Sequence, residues 1–280
     1  MTMTRTKMTM MTMRVEKMAG MAGRGRVPLF RRRVCARCRR GVLDQHQRRR
    51  RPLSSVVRSG NDKFTEMTSD LYSYMVNLND ESPILGEISD YTTGLPAGHM
   101  KSSPEQVRLF ALLLKMLRAQ RAIEIGVFTG YSTVGIAQAL PEDGVLYAFE
   151  RDPEILKVAK GFCEKAGVAH KVKAIEGDAA VEVQRLVDQG RSDFDFAFID
   201  ANKRAQKAYY EQCLKLVRPG GLVVVDNVLW YGRVVDSERN DKNTIAIREL
   251  NQYLREDDRI ELTVLPVGDG IAICRKLGES

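Results

Sequence analysis

The segment FDFAFIDANK, residues 194–203, carries the strongest fold signal in the chain. Its first six residues form a largely apolar run, and Asp200, Asn202 and Lys203 follow that run. An apolar run of this length with polar residues at its end predicts a buried parallel strand. The carboxyl ends of such strands line the ligand crevice of an open α/β sheet. We therefore expect the polar residues to face a functional site.

A second strand end has the same form, because LVVV at 222–225 runs into Asp226 and Asn227. With Asp200, this pair places two carboxylates and a carboxamide oxygen at one edge of the predicted sheet. Oxygen donors suit a hard divalent cation, Mg²⁺ first, with Ca²⁺ or Mn²⁺ as alternatives. The competing interpretation is that these side chains only cap strand ends, where Asp and Asn are common.

A glycine turn follows a third predicted strand, where AIEIG at 122–126 leads into VFTGYS at 127–132. A strand, a glycine turn and a helix start form a nucleotide cradle. The spacing G-x-x-x-G lacks the second glycine of the dinucleotide fingerprint, which argues against a dehydrogenase. The next strand, 145–149, ends in Glu150, about 20 residues beyond the turn, where an acid takes ribose hydroxyls. The pattern indicates an adenosyl cofactor without phosphates, S-adenosylmethionine.

The chain resembles the cation-dependent S-adenosylmethionine O-methyltransferases, the caffeoyl-CoA and catechol O-methyltransferase group, and within it the plant-type organellar branch. Four motifs carry the resemblance in the same order, at 123–132, 194–203, 226–230 and 265–270, and it extends from about residue 62 to the C-terminus. The resemblance implies a doubly wound, Rossmann-like α/β methyltransferase fold. Its seven-stranded sheet would be mostly parallel, with a C-terminal antiparallel strand.

The resemblance also implies a set of cofactor-binding residues: Met100, Ser102, Glu124, Gly126, Val127, Ser132, Glu150, Ala179, Asp200 and Asn202. Glu124 would lie at the methionine end of the cofactor. Glu150 and Asn202 each stand where this branch usually carries Asp, which changes the geometry of the contacts they make.

The predicted reaction transfers a methyl group to a phenolic oxygen with the help of a metal. The implied metal ligands are Asp200, Asp226 and Asn227, and the implied catalytic residues are Asp200 and Lys203. Lys203 would receive the hydroxyl proton or steady the phenolate; the alternative is a solvated surface lysine. Adjacent hydroxyls on a catechol would chelate the cation, which explains both activation and specificity.

The acceptor is predicted to be a catechol-bearing phenylpropanoid or flavonoid, with caffeoyl-CoA as one possibility. Trp230 and Tyr231 follow the metal ligands and would wall the acceptor site, and Lys63 matches a family lysine near the CoA end. His99 and His170 are expected to do no chemistry. Two other functions stay open at this point, an RNA methyltransferase and a catalytically silent cofactor-binding protein.

The N-terminal 58 residues differ in composition from the rest of the chain. They hold 17 basic and two acidic residues, a net charge of +15, whereas residues 59–280 carry −7. We predict a disordered tail at 1–58 and one methyltransferase domain at 59–280. An Arg-rich, acid-poor N-terminus is typical of an organellar transit peptide, cleaved near 54–62, for the chloroplast or alternatively the mitochondrion. The alternative is a basic arm that touches RNA or a membrane. With Phe30 as its only aromatic residue, the tail offers no stacking surface, which makes nucleic acid an improbable partner.

Strand and helix patterns alternate through the domain, with strands at 122–125, 145–150, 172–175, 194–200 and 222–226, helices such as 133–140, 153–166 and 205–216, and a hairpin over 260–275. A helix from Asp62 to Leu78, interrupted at Pro83, and the segment 82–99 would pair two chains into a homodimer. Residues 218–221 predict a turn. No apolar run approaches the ~20 residues of a membrane helix. The cysteines beyond the tail fall in helix or strand patterns, which predicts buried thiols.

Overall fold

The structure is a computed structural model that describes residues 65–278. The basic tail 1–58 and Lys63 lie outside the described residues, so what the sequence predicts for them stays a prediction. The helices are α1 (Ser69–Asn77), α2 (Pro83–Thr93), α3 (Pro104–Leu117), α4 (Tyr131–Ala139), α5 (Pro153–Lys165), α6 (Ala179–Asp188), α7 (Gln206–Leu216) and α8 (Lys242–Glu256). The strands are β1 (Arg121–Ile125), β2 (Val145–Glu150), β3 (Val172–Glu176), β4 (Phe194–Ile199), β5 (Val217–Asp226), β6 (Ile260–Leu265) and β7 (Ile271–Lys276).

The strands form one seven-stranded sheet in the order β3-β2-β1-β4-β5-β7-β6. The first five positions pair in parallel, and β7 runs antiparallel to both β5 and β6. The predicted doubly wound sheet with a C-terminal antiparallel strand is therefore confirmed. The strand order reverses between β1 and β4, and ligands bind at such a switch point in open α/β sheets.

The centre of the sheet is buried on both faces, and β4 is buried throughout, whereas the edge strands β3 and β6 are partly exposed. On one face Phe196 and Phe198 pack against Phe110 of α3, with ring centroids 5.6 and 4.6 Å apart. This layer also holds α2, α4 and α5, whereas α6, α7 and α8 cover the other face. Burial on both faces explains why β4 reads as a continuous apolar run.

The N-terminal helices begin at different residues from those predicted. Thr68 caps α1, so the first described helix begins at Ser69 instead of Asp62, and none of its residues is buried. Pro83 does not merely interrupt a helix; it opens α2, where its fixed φ and missing N–H fit the first turn. By contrast, Ser103 and Pro104 begin α3 as predicted.

The predicted turn at 218–221 lies inside β5. Phe194 pairs with Val217 and Phe196 pairs with Leu222, so the intervening residues form an irregularity that the ladder spans. Gly220 has a φ of +79°, and a Cβ on Gly221 would lie 2.7 Å from the Asp195 carbonyl oxygen. The glycines thus bend β5 closely past β4 and leave the strand to continue toward Asp226.

None of the helices within residues 65–278 has both the length and the apolar character needed to cross a membrane. Cys163, Cys213 and Cys274 are buried free thiols, as predicted.

Candidate active site

One cavity of about 1470 Å³ lies at the carboxyl ends of the parallel strands. It brings together the cofactor, metal and acceptor residues predicted within residues 65–278, with the exception of Glu124. The predicted residues that line it are Met100, Ser102, Gly126, Val127, Ser132, Glu150, Ala179, Asp200, Asn202, Lys203, Asp226, Asn227, Trp230 and Tyr231. Residues scattered over more than a hundred positions of sequence therefore share one site.

The glycine turn is shaped by contact between two strand ends. Gly126 has a φ of +96°, and a Cβ there would lie 2.0 Å from the carbonyl oxygen of Asp200. The Asp200 N–H in turn donates to the Ile125 carbonyl at 2.9 Å. Only glycine tolerates this approach, so Gly126 fixes the distance between the predicted cofactor turn and the predicted metal ligand.

Glu150, at the end of β2, accepts hydrogen bonds from the backbone of the glycine turn. One carboxylate oxygen accepts from the N–H groups of Val127 (3.1 Å) and Phe128 (3.0 Å). The other accepts from Arg151 (2.8 Å) and Asp152 (3.0 Å). Glu150 thus orders the loop as well as lining the cavity, and ribose hydroxyls would share its carboxylate with these donors.

Glu124 lies behind the cavity wall rather than in it. Its side chain is fully buried, and its two oxygens accept from the hydroxyls of Ser132 (2.5 Å) and Thr133 (2.6 Å) at the start of α4. Burial raises the pKa of Glu124 to about 8, although both hydroxyls oppose the rise. Direct contact of Glu124 with a cofactor stays a prediction; what the structure gives it is a role in placing α4.

The polar centre of the cavity is an ion cluster around Lys203. Its ammonium donates to Asp200 Oδ1 at 2.8 Å and to Asn227 Oδ1 through a short hydrogen bond. Asp226 is buried beside them and accepts from the Asn227 N–H at 2.7 Å. Burial, and then the like charge of Asp200, raise the pKa of Asp226 well above the usual range of an aspartate. The positive charge of Lys203 lowers the pKa of Asp226 and so opposes this rise.

The same cluster is the part of the cavity that could hold a metal. Within residues 65–278, no group of three or more His, Cys, Asp and Glu side chains could hold an ion. The predicted set contains two aspartates and an asparagine, all of them oxygen donors, which a hard cation accepts. The Lys203 ammonium already lies between two of these oxygens, so the site attracts a cation and the donor chemistry fits one.

The predicted acceptor side of the cavity is an aromatic wall, Trp230 and Tyr231, in an unusual backbone conformation. Asn227, Trp230 and Tyr231 have φ values of +59°, +48° and +52°, in the region that usually favours glycine. The Trp230 and Tyr231 rings lie 5.7 Å apart, and the Arg233 guanidinium lies 5.9 Å from the first ring. Trp230 Nε1 is buried and has no hydrogen-bond partner among the described residues, so it is a free donor beside the cavity.

Sequence reasoning missed several residues that shape this wall. Arg248 of α8 donates to the carbonyls of Val234 (2.9 Å), Arg239 (2.8 Å) and Arg233 (3.0 Å), and through a short hydrogen bond to that of Asp236. It therefore clamps the loop that follows the aromatic wall. No motif announces such a contact, because an arginine at this position of an amphipathic helix reads as a surface residue.

Gln106 and Asp269 were also missed. Gln106 is buried in α3 and lowers the pKa of Asp226, yet its Nε2 makes no hydrogen bond of normal geometry to the described residues. Asp269 lies in the turn between β6 and β7 and lines the cavity. The LPVGDG motif at 265–270 was a signal for that turn, although not for the contacts of its aspartate.

Comparison with known proteins assigns the class of the chain. Residues 75–277 match the O-methyltransferase family. Tricin synthase 1 of Oryza sativa subsp. japonica is 42% identical over 228 residues, which is 76% of this chain and 90% of that protein. The flavonoid 3',5'-methyltransferase of Vitis vinifera is 41% identical, covering 60% of this chain and 74% of the relative. The caffeoyl-CoA O-methyltransferase of Populus kitakamiensis is also 41% identical, with 62% and 77% covered.

A solved structure agrees in both fold and cofactor. The O-methyltransferase TomG from Streptomyces achromogenes, in complex with S-adenosylmethionine, superposes with a TM-score of 0.68 at 32% identity, over 75% of this chain and 96% of that one. The chain belongs to the O-methyltransferase family. It is an S-adenosylmethionine-dependent O-methyltransferase similar to the caffeoyl-CoA branch, as its motifs predict.

Proposed function

We propose that this enzyme methylates one phenolic hydroxyl of a catechol-type small molecule with the help of a divalent cation. The observation that carries the proposal is the ion cluster, in which the Lys203 ammonium bridges Asp200 Oδ1 and Asn227 Oδ1 beside the aromatic wall. The tricin, flavonoid and caffeoyl-CoA relatives support a phenolic acceptor. The same relatives favour a phenolic acceptor over an RNA substrate. The complete set of predicted metal ligands argues against a catalytically silent cofactor-binding protein.

The division of work within the cavity follows from where its residues lie. S-adenosylmethionine, when bound, supplies an electrophilic methyl group, and Gly126, Glu150 and Ala179 would hold its adenosyl part. A divalent cation, Mg²⁺ first and Ca²⁺ or Mn²⁺ as alternatives, supplies Lewis acidity that brings a phenol with a pKa near ~10 toward neutrality. Asp200, Asp226 and Asn227 would hold that cation.

Lys203 would act at the reacting oxygen itself. Its Nζ is held by two oxygens of the cluster, so it lies where an acceptor hydroxyl would approach. The ammonium would steady the phenolate; as the neutral amine, Nζ would instead receive the hydroxyl proton. Trp230 and Tyr231 would orient the acceptor ring, since alignment with the methyl donor supplies much of the rate enhancement.

The direct test is methyl transfer to a catechol and to a monophenol of the same skeleton. We expect Mg²⁺ to support far faster methylation of the catechol, EDTA to remove the activity, and added Mg²⁺ to restore it. A vicinal diol can chelate a cation and stay in place, whereas a lone phenol cannot. Equal rates on both acceptors, or full activity in chelator, would show that the oxygen cluster is structural. Caffeoyl-CoA should be included in the panel of catechols.

We also propose that the basic tail is an organellar transit peptide, for the chloroplast or alternatively the mitochondrion. The charge of +15 over residues 1–58 supports this role. N-terminal sequencing of the protein from its native source should find a mature chain that starts near 54–62. A mature cytosolic chain that still starts at Met1 would contradict the proposal.

A further inference from the structure

The turn between β6 and β7 contacts the segment that carries the metal ligand and the aromatic wall. Asp269 Oδ2 accepts from Asn227 Nδ2 at 3.3 Å, and Asp269 Oδ1 accepts from the Tyr231 N–H at 2.6 Å. The main chain of the turn adds two bonds, from Leu229 N–H to the Asp269 carbonyl (3.1 Å) and from Val228 N–H to the Gly270 carbonyl (3.0 Å). One aspartate thus touches both a predicted cation ligand and the acceptor wall.

The chemistry of the Asn227 side chain makes the first of these contacts directional. A carboxamide has a donor end and an acceptor end, whereas an ionised carboxylate only accepts. Asp269 therefore requires the Nδ2 end of Asn227, which leaves Oδ1 facing Lys203 and Asp200. Only that oxygen suits a hard cation, so a reversed carboxamide would present a donor where a ligand is needed.

We propose that Asp269 is a positioning residue that sets the carboxamide of Asn227 for cation binding and holds the Tyr231 backbone in the acceptor wall. The proposal rests on the cation-dependent function proposed above. Replacing a side chain that hydrogen-bonds to a metal ligand, without touching the metal itself, typically lowers metal affinity by about 10–100-fold.

The turn is built to keep Asp269 in place. A Cβ on Gly270 would lie 2.3 Å from Leu229 Cγ, so the turn lies directly against the segment that it holds. On its other side, the Gly268 N–H donates to Glu105 Oε1 of α3 at 3.2 Å. The left-handed φ of Gly268, +54°, also favours glycine. The carboxylate is therefore fixed from both sides before any ligand arrives.

The test is the isosteric substitution Asp269→Asn in the full-length protein, titrated with Mn²⁺ and followed by the EPR signal of the free ion. We expect Mn²⁺ affinity to fall by about 10–100-fold. S-adenosylmethionine affinity should stay unchanged, since its predicted ribose ligand, Glu150, contacts a different loop. Asp241→Asn is the matched control, because Asp241 also lines the cavity, carries the same charge and caps α8, a role that Asn fills equally well.

Making Asp269→Asn in the Asn227→Asp variant separates the orientation of the residue 227 side chain from a simple loss of charge at Asp269. In Asn227→Asp the two ends of the side chain become identical, so nothing remains for Asp269 to orient. On that background Asp269→Asn should not weaken Mn²⁺ binding, which is the logic of a double-mutant cycle. Equal losses on both backgrounds, or an equal loss in Asp241→Asn, would overturn the positioning role and leave only a charge effect.

The remaining outcomes distinguish this role from the proposed function. If the wild-type protein binds Mn²⁺ and Asp269→Asn binds it equally well, only the role of Asp269 is overturned. If Asp269→Asn loses S-adenosylmethionine as well, the turn supports the whole cavity and the specific role is again wrong. A wild-type protein that binds no divalent cation overturns the cation-dependent mechanism itself, and this role with it.

Discussion

At the scale of single residues, we propose that Glu150 and Asp226 divide the cavity between cofactor and acceptor. Glu150 accepts from two N–H groups of the glycine loop and from two of the loop that follows β2, whereas Asp226 belongs to the ion cluster around Lys203. We expect Glu150→Ala to weaken S-adenosylmethionine binding and Asp226→Ala to abolish turnover while leaving cofactor binding largely intact. Calorimetry on both variants measures their affinity for S-adenosylmethionine. Comparable cofactor loss in Asp226→Ala would refute the division.

Glu124 should make stability depend on pH. Because its pKa is raised to about 8, the folded protein keeps a proton from about pH 4.5 to pH 8 that the unfolded chain has already released. The contribution of this group to folding stability therefore falls as pH rises through that window. Glu124→Gln has no proton to lose, so its melting temperature should fall less than that of the wild type between about pH 5 and about pH 9.

Thermal unfolding of the metal-free proteins at both pH values would measure that difference. Glu164→Gln on the surface of α5 is the control, and it should change with pH as the wild type does. If Glu124→Gln also followed the wild-type slope, then Glu124 would not be the group that keeps a proton.

At the scale of elements, the glycine turn forms because Gly126 has no side chain. A Cβ at Gly126 would overlap the Asp200 carbonyl oxygen at 2.0 Å, and the φ of +96° adds strain. We expect Gly126→Ala to lower the free energy of unfolding by more than about 2 kcal/mol. A Cβ at Gly161 in α5 would meet no atom within 4 Å, so Gly161→Ala should stabilise by about 0.5–1 kcal/mol. Urea unfolding of both variants measures their free energies of unfolding. A Gly126→Ala variant as stable as the wild type would contradict the steric argument.

The loop after the aromatic wall should loosen when its clamp is removed. Arg248 reaches four carbonyls through its forked guanidinium. Lysine keeps the charge but donates from a single nitrogen, so it cannot span them. We expect Arg248→Lys to speed tryptic cleavage after Arg233 and Arg239 and to raise the KM for the acceptor severalfold. S-adenosylmethionine affinity should not change.

Arg185→Lys on the surface of α6 serves as the control for this substitution. It makes the same chemical change in an i,i+3 ion pair far from the loop in sequence. Unaltered proteolysis and an unaltered acceptor KM in Arg248→Lys would show that the loop is held by other contacts.

At the scale of the whole molecule, we propose that the enzyme is a homodimer. Of the predicted surface, α1 and its C-cap expose Tyr74 (63%) and Leu78 (68%), whereas α2 buries Leu85 and Ile88 in the core. In α3, Leu112 (61%) and Met116 (80%) are exposed. Large exposed apolar side chains of this kind are surface that a second copy of the chain would cover. Sedimentation of the full-length chain should give twice 31.6 kDa. Met116→Glu should weaken association and Val181→Glu on α6 should not; a single-chain mass for the wild type at micromolar concentration would reject the dimer.

The sequence predicted the sheet and most of the cavity, because both depend on local patterns. Apolar runs such as 194–199 define buried strands, and the polar residues after them must meet at one edge. Asp269 and Arg248 could not be predicted, since Asp269 binds residues 38 and 42 positions away and Arg248 binds the main chain of an irregular loop. Glu124 looked like a cavity residue because it lies beside the turn, but the hydroxyls that bind it turn it inward. Register irregularities such as that in β5 leave no periodic signal.

The contacts of Arg248 have a consequence for how the loop at 233–239 can vary in sequence. Arg248 binds main-chain carbonyls, which every amino acid possesses, and does not depend on the side chains at 233–239. Those side chains can therefore be exchanged in bulk while the path of the chain is kept. A library randomised at 234–239 on an otherwise fixed scaffold should retain folding in most members. The loop can therefore vary in sequence while Arg233, which lines the cavity, keeps its place.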